Sequence, residues 1–187
     1  TGMISLISRW RRLVADESEA VWTDGEAQEL LDSYRIDLWQ RSTTARPQEI
    51  NNDVKWLVYD VGMGNLESIS SGTTIFRLFN SAGSAAGTAN YAVDYQTGLI
   101  TFTSDQNGTA WWVDARHYDL HGAAAAGWRE AAGAKANHYN FSADGARYER
   151  SQWFDHCMQM ASYHDSLSST GAGAMQVGTL VRSDVNA

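Results

Sequence analysis

The chain has 187 residues, of which 43% are hydrophobic and 8 are tryptophan, enough to bury one good core with a small appended lobe. Its 22 acidic and 14 basic residues give a net charge of -8, which disfavours a protein that grips nucleic acid phosphates. The single cysteine, Cys157, excludes an intrachain disulfide and a multi-cysteine metal cage. Residues 3–12 lack the features of a secretion signal, and no long apolar window predicts a membrane span. We therefore expect a protein of the reducing cytoplasm. We also expect Thr1 and Gly2, which precede Met3, to lie outside the fold.

Two helices are predicted to open the chain. The first covers residues 4–14, and the second begins at Thr23, whose hydroxyl and the Glu26 carboxylate form a capping box. The apolar face of the second helix is formed by Ala27, Leu30, Leu31, Tyr34 and Leu38. Pro47 then marks a loop that leaves this helix.

Residues 53–113 change to a strand-like period and predict an antiparallel β lobe inserted between helices. The predicted strands are residues 54–61, 74–79, 91–95, 99–103 and 110–113. The third and fourth of them flank Gln96-Thr97-Gly98 and should pair as a hairpin. The segment 81–90 is rich in small polar residues, so we expect a mobile contact loop, at Ser81, Gly83 and Gly87, that orders on assembly.

Helix returns at Asp119, a good N-cap, with an alanine-rich surface that permits a close neighbouring helix. That neighbour is the predicted helix at about residues 151–167. Its apolar stripe is formed by Phe154, Cys157, Met158, Ala161 and Leu167. The fold class predicted is therefore α+β: a bundle of about four helices, an inserted β lobe and an extended C-terminal arm. The bundle takes residues 1–52 and 114–167, and the flexible arm takes residues 168–187.

The strongest candidate for chemistry is a pair of histidines four residues apart, His117 and His121, which could share a helix face and bind zinc. The glutamate of the metalloprotease motif is absent between them, and Asp119 is better used as an N-cap. Cys157 and His156 are adjacent on a helix, so their side chains diverge by about 100° and cannot form a thiol–base pair. No phosphate-binding glycine loop occurs. We therefore expect no catalytic site, no metal and no cofactor.

Trp111 and Trp112 lie side by side in a predicted strand and must point to opposite faces of the sheet. One of them therefore faces away from the sheet's own core unless another surface covers it. Tryptophan is enriched in protein interfaces, so the pair is a candidate subunit interface. A two-sided sandwich or an overlying loop would cover the second tryptophan equally well.

Four segments of the C-terminal half stand out: Tyr-Asp-Leu-His-Gly-Ala-Ala-Ala-Ala-Gly-Trp at 118–128, Tyr-Asn-Phe-Ser-Ala-Asp-Gly at 139–145, Tyr-Glu-Arg-Ser-Gln at 148–152 and Leu-Val-Arg-Ser-Asp at 180–184. With these segments, the C-terminal half resembles the head-to-tail connector (adaptor, or head-completion) proteins of long-tailed bacteriophages. The hairpin of residues 91–103 is also typical of phage structural proteins. The order and spacing of these segments, over about residues 90–187, make the match.

The resemblance implies a virion protein of the phage neck, assembled in the host cytoplasm as a homo-oligomeric, twelve-fold ring beneath the portal. Such a ring extends the DNA channel, lets DNA pass without specific binding, and offers a platform for the stopper or tail-completion protein. The resemblance also implies a C-terminal arm that reaches a neighbouring subunit or the portal, here through Leu180, Val181 and Arg182. No membrane contact is expected. The long β lobe departs from the simpler, nearly all-helical members.

Three alternatives stay open. The chain could be a tail-completion or other neck protein, which would bind the end of the tail tube. It could be a free carbohydrate- or protein-binding module that uses tryptophans of the β lobe, Trp56 included. It could be a metal hydrolase that uses His117 and His121, which would hold stoichiometric zinc.

Overall fold

The structure is a computed structural model that describes residues 2–68, 76–135, 141–143, 146–148 and 151–169. Within these ranges the chain is α+β, with four helices and two larger antiparallel sheets, as predicted. It divides into two compact units, unit 1 (Thr1–Leu120) and unit 2 (His121–Ala187). None of the described helices is long and apolar enough to cross a membrane.

The elements of unit 1 are two helices, seven strands and a 3-10 turn. They are α1 (Gly2–Leu13), α2 (Asp24–Ser33), β1 (Arg35–Ser42), β2 (Thr44–Ile50), β3 (Asp53–Asp60), β4 (Arg77–Asn80), the 3-10 turn (Thr88–Asn90), β5 (Tyr91–Asp94), β6 (Leu99–Phe102) and β7 (Trp111–Tyr118). The described elements of unit 2 are α3 (Leu120–Lys135), which begins at the last residue of unit 1, β8 (Phe141–Ala143), β9 (Ala146–Tyr148) and α4 (Ser151–Leu167).

The two opening helices form as predicted, and the capping box of α2 is confirmed. The Thr23 amide donates to Glu26 Oε2 at 2.8 Å, and the Glu26 amide donates to Thr23 Oγ1 at 3.3 Å. The exclusion of Gly2 from the fold was wrong, because Gly2 is the buried first residue of α1. A Cβ added there would lie 3.1 Å from the carbonyl oxygen of Ser68. Trp10 of α1 and Trp22, which precedes α2, meet edge to face with their ring centroids 5.3 Å apart.

The second helix is shorter than predicted, because it ends at Ser33 and the chain turns directly into β1. Leu38 is buried from this strand and not from a helix face. The expected loop at Pro47 was also wrong, since this residue lies within β2. It lies where the pairing of β2 with β3 shifts register, between Arg46 and Gln48, and β2 is an edge strand. A residue without an amide hydrogen is tolerated at such a position.

Strand β7 is the centre of a three-stranded sheet of order β1-β7-β4, and β3 and β6 are the inner strands of a four-stranded sheet of order β2-β3-β6-β5. The strands therefore cover residues 35–118, a wider range than the predicted lobe of 53–113. The predicted hairpin is confirmed, with Tyr91 paired to Phe102 and Asp94 to Leu99. Its turn needs Gly98, which has a φ of 78° and where an added Cβ would lie 2.0 Å from the Met63 carbonyl oxygen.

The core of unit 1 lies between its sheets and is dominated by aromatic rings. Phe102 contacts Trp111 at 5.0 Å and Tyr59 at 5.4 Å between ring centroids, and Phe76 meets Tyr95 edge to face at 5.7 Å. Other buried members are Leu38, Val61, Leu66, Leu78, Ile100 and Val113. Each large ring buries on the order of 150–250 Å², so this cluster accounts for much of the stability of the unit.

The predicted contact loop packs more closely than its composition suggested. Asn80 at the end of β4 accepts hydrogen bonds from the amides of Ala82 and Ser84, both at 3.0 Å, through its side-chain oxygen. The Ala86 amide donates to the Leu78 carbonyl at 2.8 Å, and Ala86 packs against the core. The small polar residues of this loop therefore do not keep it from packing at Ala86.

The helices of unit 2 have nearly the predicted bounds, but α4 uses a different stripe. Its buried side chains are Cys157, Ala161 and His164. Three residues of the predicted stripe, Phe154, Met158 and Leu167, are exposed by 38%, 41% and 46%. The apolar periodicity identified the correct side of α4. The rest of the chain covers only the middle of that side, and the side chains at its edges stay exposed.

Candidate functional site

A β-bulge in the edge strand β1 presents an exposed tryptophan. Leu38 pairs with Ala115 and Arg41 with Val113, so two residues, Trp39 and Gln40, lie opposite one residue of β7. Gln40 has a φ of 46°, and its amide donates to Asp114 Oδ1 at 2.8 Å. Trp39 is 75% exposed. Tryptophan is enriched in protein interfaces, so this exposed indole marks a candidate contact surface.

The predicted alternation of Trp111 and Trp112 is found in β7. Trp111 is 9% exposed and contacts Phe102 in the core, whereas Trp112 lies partly buried on the opposite face of the sheet. Trp112 pairs with Phe79 of β4. Together with the exposed Trp39, these side chains make the face of the sheet away from the core partly aromatic. The role of Trp112 as a subunit contact stays a prediction.

Charged residues occupy the other end of the same face. Arg116 lies 3.6 Å from Asp37 and 3.6 Å from Glu67, and Arg35 lies 3.1 Å from Asp37. These charges are partly exposed and mutually paired, so each pair contributes little to stability. The face therefore combines aromatic groups at one end with a neutralised ionic network at the other, a composition closer to a protein interface than to a phosphate site.

Two buried polar groups next to this network have structural hydrogen bonds. The Tyr118 hydroxyl donates to Glu67 Oε2 at 3.0 Å, and burial, followed by the nearby Glu67 carboxylate, raises the pKa of Tyr118. His117 donates from Nδ1 to the Gly64 carbonyl oxygen at 2.6 Å. A tyrosine that stays protonated and a histidine tied to a backbone carbonyl fasten β7 to the segment after β3.

The two histidines considered for zinc have different partners. His117 is bonded to Gly64 within unit 1, whereas His121 lies with its Nδ1 3.0 Å from Nδ1 of His164 in unit 2, the two rings stacked. Among the described residues, no group of three or more metal-ligating side chains is arranged around a common point. The helix face that both histidines would share does not exist, because His117 belongs to β7.

Cys157 is fully buried in α4, and burial raises the pKa of its thiol. A protonated, inaccessible thiol is a poor nucleophile.

A cleft of about 410 Å³ also lies beside α1, where Arg11 and Arg12 face Glu17, Glu19 and Asp24. Arg11 is itself paired with Asp16 at 3.0 Å and with Asp24 at 2.8 Å, so its charge is already compensated within the chain.

The hairpin of β2 and β3 extends beyond the sheet that contains it. Only Val58–Asp60 of β3 pairs with β6, and the tip turns through Asn51 and Asn52, both with positive φ. Ile50 and Val54 near the tip are 38% and 55% exposed. Apolar side chains on a two-stranded ribbon that is exposed on both faces form a second candidate contact surface.

The other predicted site residues are placed only in part. The three residues predicted for the contact loop lie in the segment that is hydrogen-bonded to Asn80, and all three are exposed: Ser81, Gly83 and Gly87. Leu180, Val181 and Arg182 of the arm lie outside the described residues. Sequence reasoning missed Trp39, which was assigned to no surface, because a bulge leaves no simple period in the sequence.

Comparison of the chain with protein-family models, with curated proteins and with solved structures finds no match.

Proposed function

We propose that the chain is a structural virion protein, one subunit of a ring that joins the portal of a tailed-phage capsid to the tail and extends the DNA channel. The observation that carries the proposal is the exposure of large apolar side chains in both units, from Trp39 at 75% to five residues of α4. Surfaces of this kind mark protein contacts in an assembly. The resemblance of residues 118–152 and 180–184 to connector proteins indicates which assembly.

The charge of the chain supports a channel through which DNA passes. A net charge of -8 repels the phosphate backbone, so a ring of these subunits favours sliding over binding. Its partners in this proposal are further copies of itself, the portal protein, and the stopper or tail-completion protein. No enzymatic step and no cofactor belong to this function.

The arm is proposed to anchor the subunit through Leu180, Val181 and Arg182, on the strength of the resemblance. The structure changes where a truncation should begin. Ser168 is buried, and its amide donates to the Asp165 carbonyl at 3.2 Å, so it belongs to the end of α4. Deletion of residues 170–187 is therefore expected to leave folding intact and to weaken incorporation into particles.

The deciding experiment mixes the purified chain with portal-bearing heads that lack neck proteins and, separately, with isolated tail tubes. Cryo-electron microscopy of both samples follows. A ring stacked on the portal is the expected result. Density at the tail-tube end alone would replace the connector by a tail-completion protein, and density on neither particle would overturn the proposal.

Trp39 favours one other candidate, a free binding module, because an exposed indole on a sheet face can stack on a sugar ring or cover an apolar peptide side chain. The full chain would be titrated with soluble glycans and peptides while tryptophan fluorescence is followed. A saturable change that Trp39→Ala abolishes would favour this module. The connector proposal expects no such change.

A further inference from the structure

A pair of histidines joins the two described helices of unit 2. His121 lies at the start of α3 and His164 in the last turn of α4, and their Nδ1 atoms are 3.0 Å apart with the rings stacked. His164 is 3% exposed, and His121 is partly buried. Trp128 of α3 also meets His156 of α4, with ring centroids 5.8 Å apart. The helices therefore run antiparallel, and the start of α3 adjoins the end of α4.

The short distance between the rings limits how many protons they can carry. A neutral imidazole has one N–H and one bare nitrogen, so an Nδ1–Nδ1 contact at 3.0 Å needs one Nδ1–H facing one bare Nδ1. A first extra proton binds at an Nε2 and keeps this hydrogen bond. A second extra proton has only the accepting Nδ1 left, where two N–H groups and two like charges would face each other. The closed pair therefore holds at most one extra proton.

The helix ends assign that one proton to His164. The last turn of an α-helix carries partial negative charge and favours a histidine cation, whereas the first turn carries partial positive charge and disfavours one. His164 lies in the last turn of α4, and His121 is the second residue of α3. Protonated His164 therefore donates from Nδ1 to the bare Nδ1 of His121. A further proton on His121 meets both the start of α3 and the neighbouring cation.

The other charged and titratable side chains described on these two helices do not change this balance. Asp165 follows His164 in the chain, but it is already paired with Arg129. The Tyr163 ring meets the His164 ring edge to face at 5.2 Å, and a phenol is uncharged well below pH 10. Three further groups lie about 12 Å or more along the helices, beyond the screening length of about 8 Å: Glu130, Asp155 and His156.

Asp119 is the carboxylate that precedes His121 most closely in the chain, by two residues. A negative charge near a histidine favours its protonation. It does not separate the two N–H groups that would point at each other across 3.0 Å. The limit of one extra proton therefore follows from the contact between the rings and not from the charges around it.

We propose that the His121–His164 pair is a pH-dependent contact, which holds α3 to α4 while it carries no more than one extra proton and separates when both rings are protonated. Two separated histidines take up two protons below pH 6.5 or so, whereas the closed pair takes up one. Acid therefore favours separation, and the pair ceases to hold the helices together as the pH falls through this range. Within the described residues, no third metal-ligating side chain joins the pair. The proposal goes beyond the connector function and does not depend on it.

The test measures how often α4 opens, through the thiol of Cys157, which is buried on α4 as His164 is. Full-length protein is labelled with a pyridyl disulfide at pH 6.5 and pH 5.0 in the presence of a metal chelator. Each rate is divided by the rate for the same chain unfolded in urea at the same pH. Two variants each remove one ring, His121→Asn and His164→Asn, because asparagine keeps a hydrogen-bonding group near the position of Nδ1 but does not titrate. The matched control, His156→Asn, removes an exposed histidine of the same helix.

The normalised rate of wild type and control should rise about tenfold between pH 6.5 and pH 5.0, since separation takes up about one more proton over this range. In both ring variants the rate should change by no more than about twofold, because the remaining histidine takes up its proton in either state. A wild type without the rise would overturn the proposal. A tenfold rise that persists in either ring variant would assign the dependence to a single histidine and would also overturn it.

Nitrogen-15 spectra of the histidine rings give a second readout that does not depend on the stability of a variant. At pH 5.0 the folded wild type should show one imidazolium and one neutral ring for the pair, assigned from the spectra of His121→Asn and His164→Asn. Two imidazolium rings in protein whose Cys157 stays protected from the reagent would show that the closed pair accepts both protons. That result would overturn the proposal even if the labelling rates followed the expected pattern.

Discussion

The aromatic core of unit 1 and helix α4 of unit 2 use their large apolar side chains in opposite ways. In unit 1, Trp10, Tyr59, Phe76 and Tyr118 are each at most 1% exposed. In the described part of unit 2, the buried positions of α4 hold small or polar side chains, and the large ones lie outside. A core of interlocked rings is complete in a single chain. A helix that buries small side chains and exposes large ones, as α4 does, is typical of an element that finishes packing in an assembly.

The largest expected change in unfolding free energy tests this contrast by replacing phenylalanine with alanine at one buried position and at one exposed position. Phe102→Ala removes a ring, 4% exposed, that contacts Tyr59, Tyr91 and Trp111, and should cost about 3–5 kcal/mol of unfolding free energy. Phe154→Ala, at 38% exposure, should cost about 1 kcal/mol or less in the monomer. Urea unfolding measures both, and equal losses would erase the difference between the units.

The next largest expected change in unfolding free energy concerns the buried ion pair of Asp16 and Arg11 in unit 1. The Asp16 carboxylate, 2% exposed, pairs with Arg11 and accepts hydrogen bonds from the amides of Ala20, Val21 and Trp22 at 2.8–3.1 Å. Asp16→Asn keeps the size but leaves the buried guanidinium with less compensation, so unfolding free energy should fall by about 2–3 kcal/mol.

The control for this substitution is Glu17→Gln, which removes an exposed carboxylate one residue away. It should leave the urea midpoint nearly unchanged. A similar small shift for Asp16→Asn would mean that the aromatic rings alone hold the opening helices in place.

The reactivity of Cys157 measures how often α4 of unit 2 opens, independently of unit 1. Because its thiol is buried and its pKa is raised, it should react with a thiol reagent only when α4 opens. An opening free energy of about 2 kcal/mol would slow the reaction roughly 30-fold relative to the urea-unfolded chain. Rapid labelling of the native protein would contradict the packing of α4, and labelling that slows further on oligomerisation would sharpen the contrast between the units.

The smallest effect is a pH dependence that belongs to unit 1. Burial raises the pKa of Tyr118 in the folded state above its ordinary value of about 10, with a further contribution from Glu67. The stability that this group supplies is therefore fully present below pH 10 and falls above it, by about 1.4 kcal/mol per pH unit. Tyr118→Phe should remove that part of the slope. Urea midpoints measured on both sides of pH 10 check it, and an unchanged slope would contradict it.

Helices and hairpins with local signals were predicted well. The capping box of Thr23, the turn at Gly98 and the bounds of α4 each depend on residues close in sequence. Strand β1 was missed because its partner, β7, is far along the chain, and because Leu38 continues the apolar spacing of α2. Tertiary pairing overrode that periodicity.

The candidate surfaces show the same division. The alternation of Trp111 and Trp112 follows from strand geometry and was predicted. The exposure of Phe154 and Met158 was not, because periodicity shows which side of a helix is apolar but not how wide a neighbour covers it. Leu180, Val181 and Arg182 stay a prediction.

The central position of β7 also governs when the chain can fold during synthesis. Arg35 at the start of β1 pairs with Tyr118, so β1 waits without its partner until the end of β7 has left the ribosome. At roughly 5–20 residues per second, that interval lasts about 4–17 seconds for the 83 residues between positions 35 and 118. During this time an unpaired edge with an exposed tryptophan is open to wrong partners. A cell that makes many copies at once therefore has reason to shield the nascent chain, and slow translation before β7 would lower its yield.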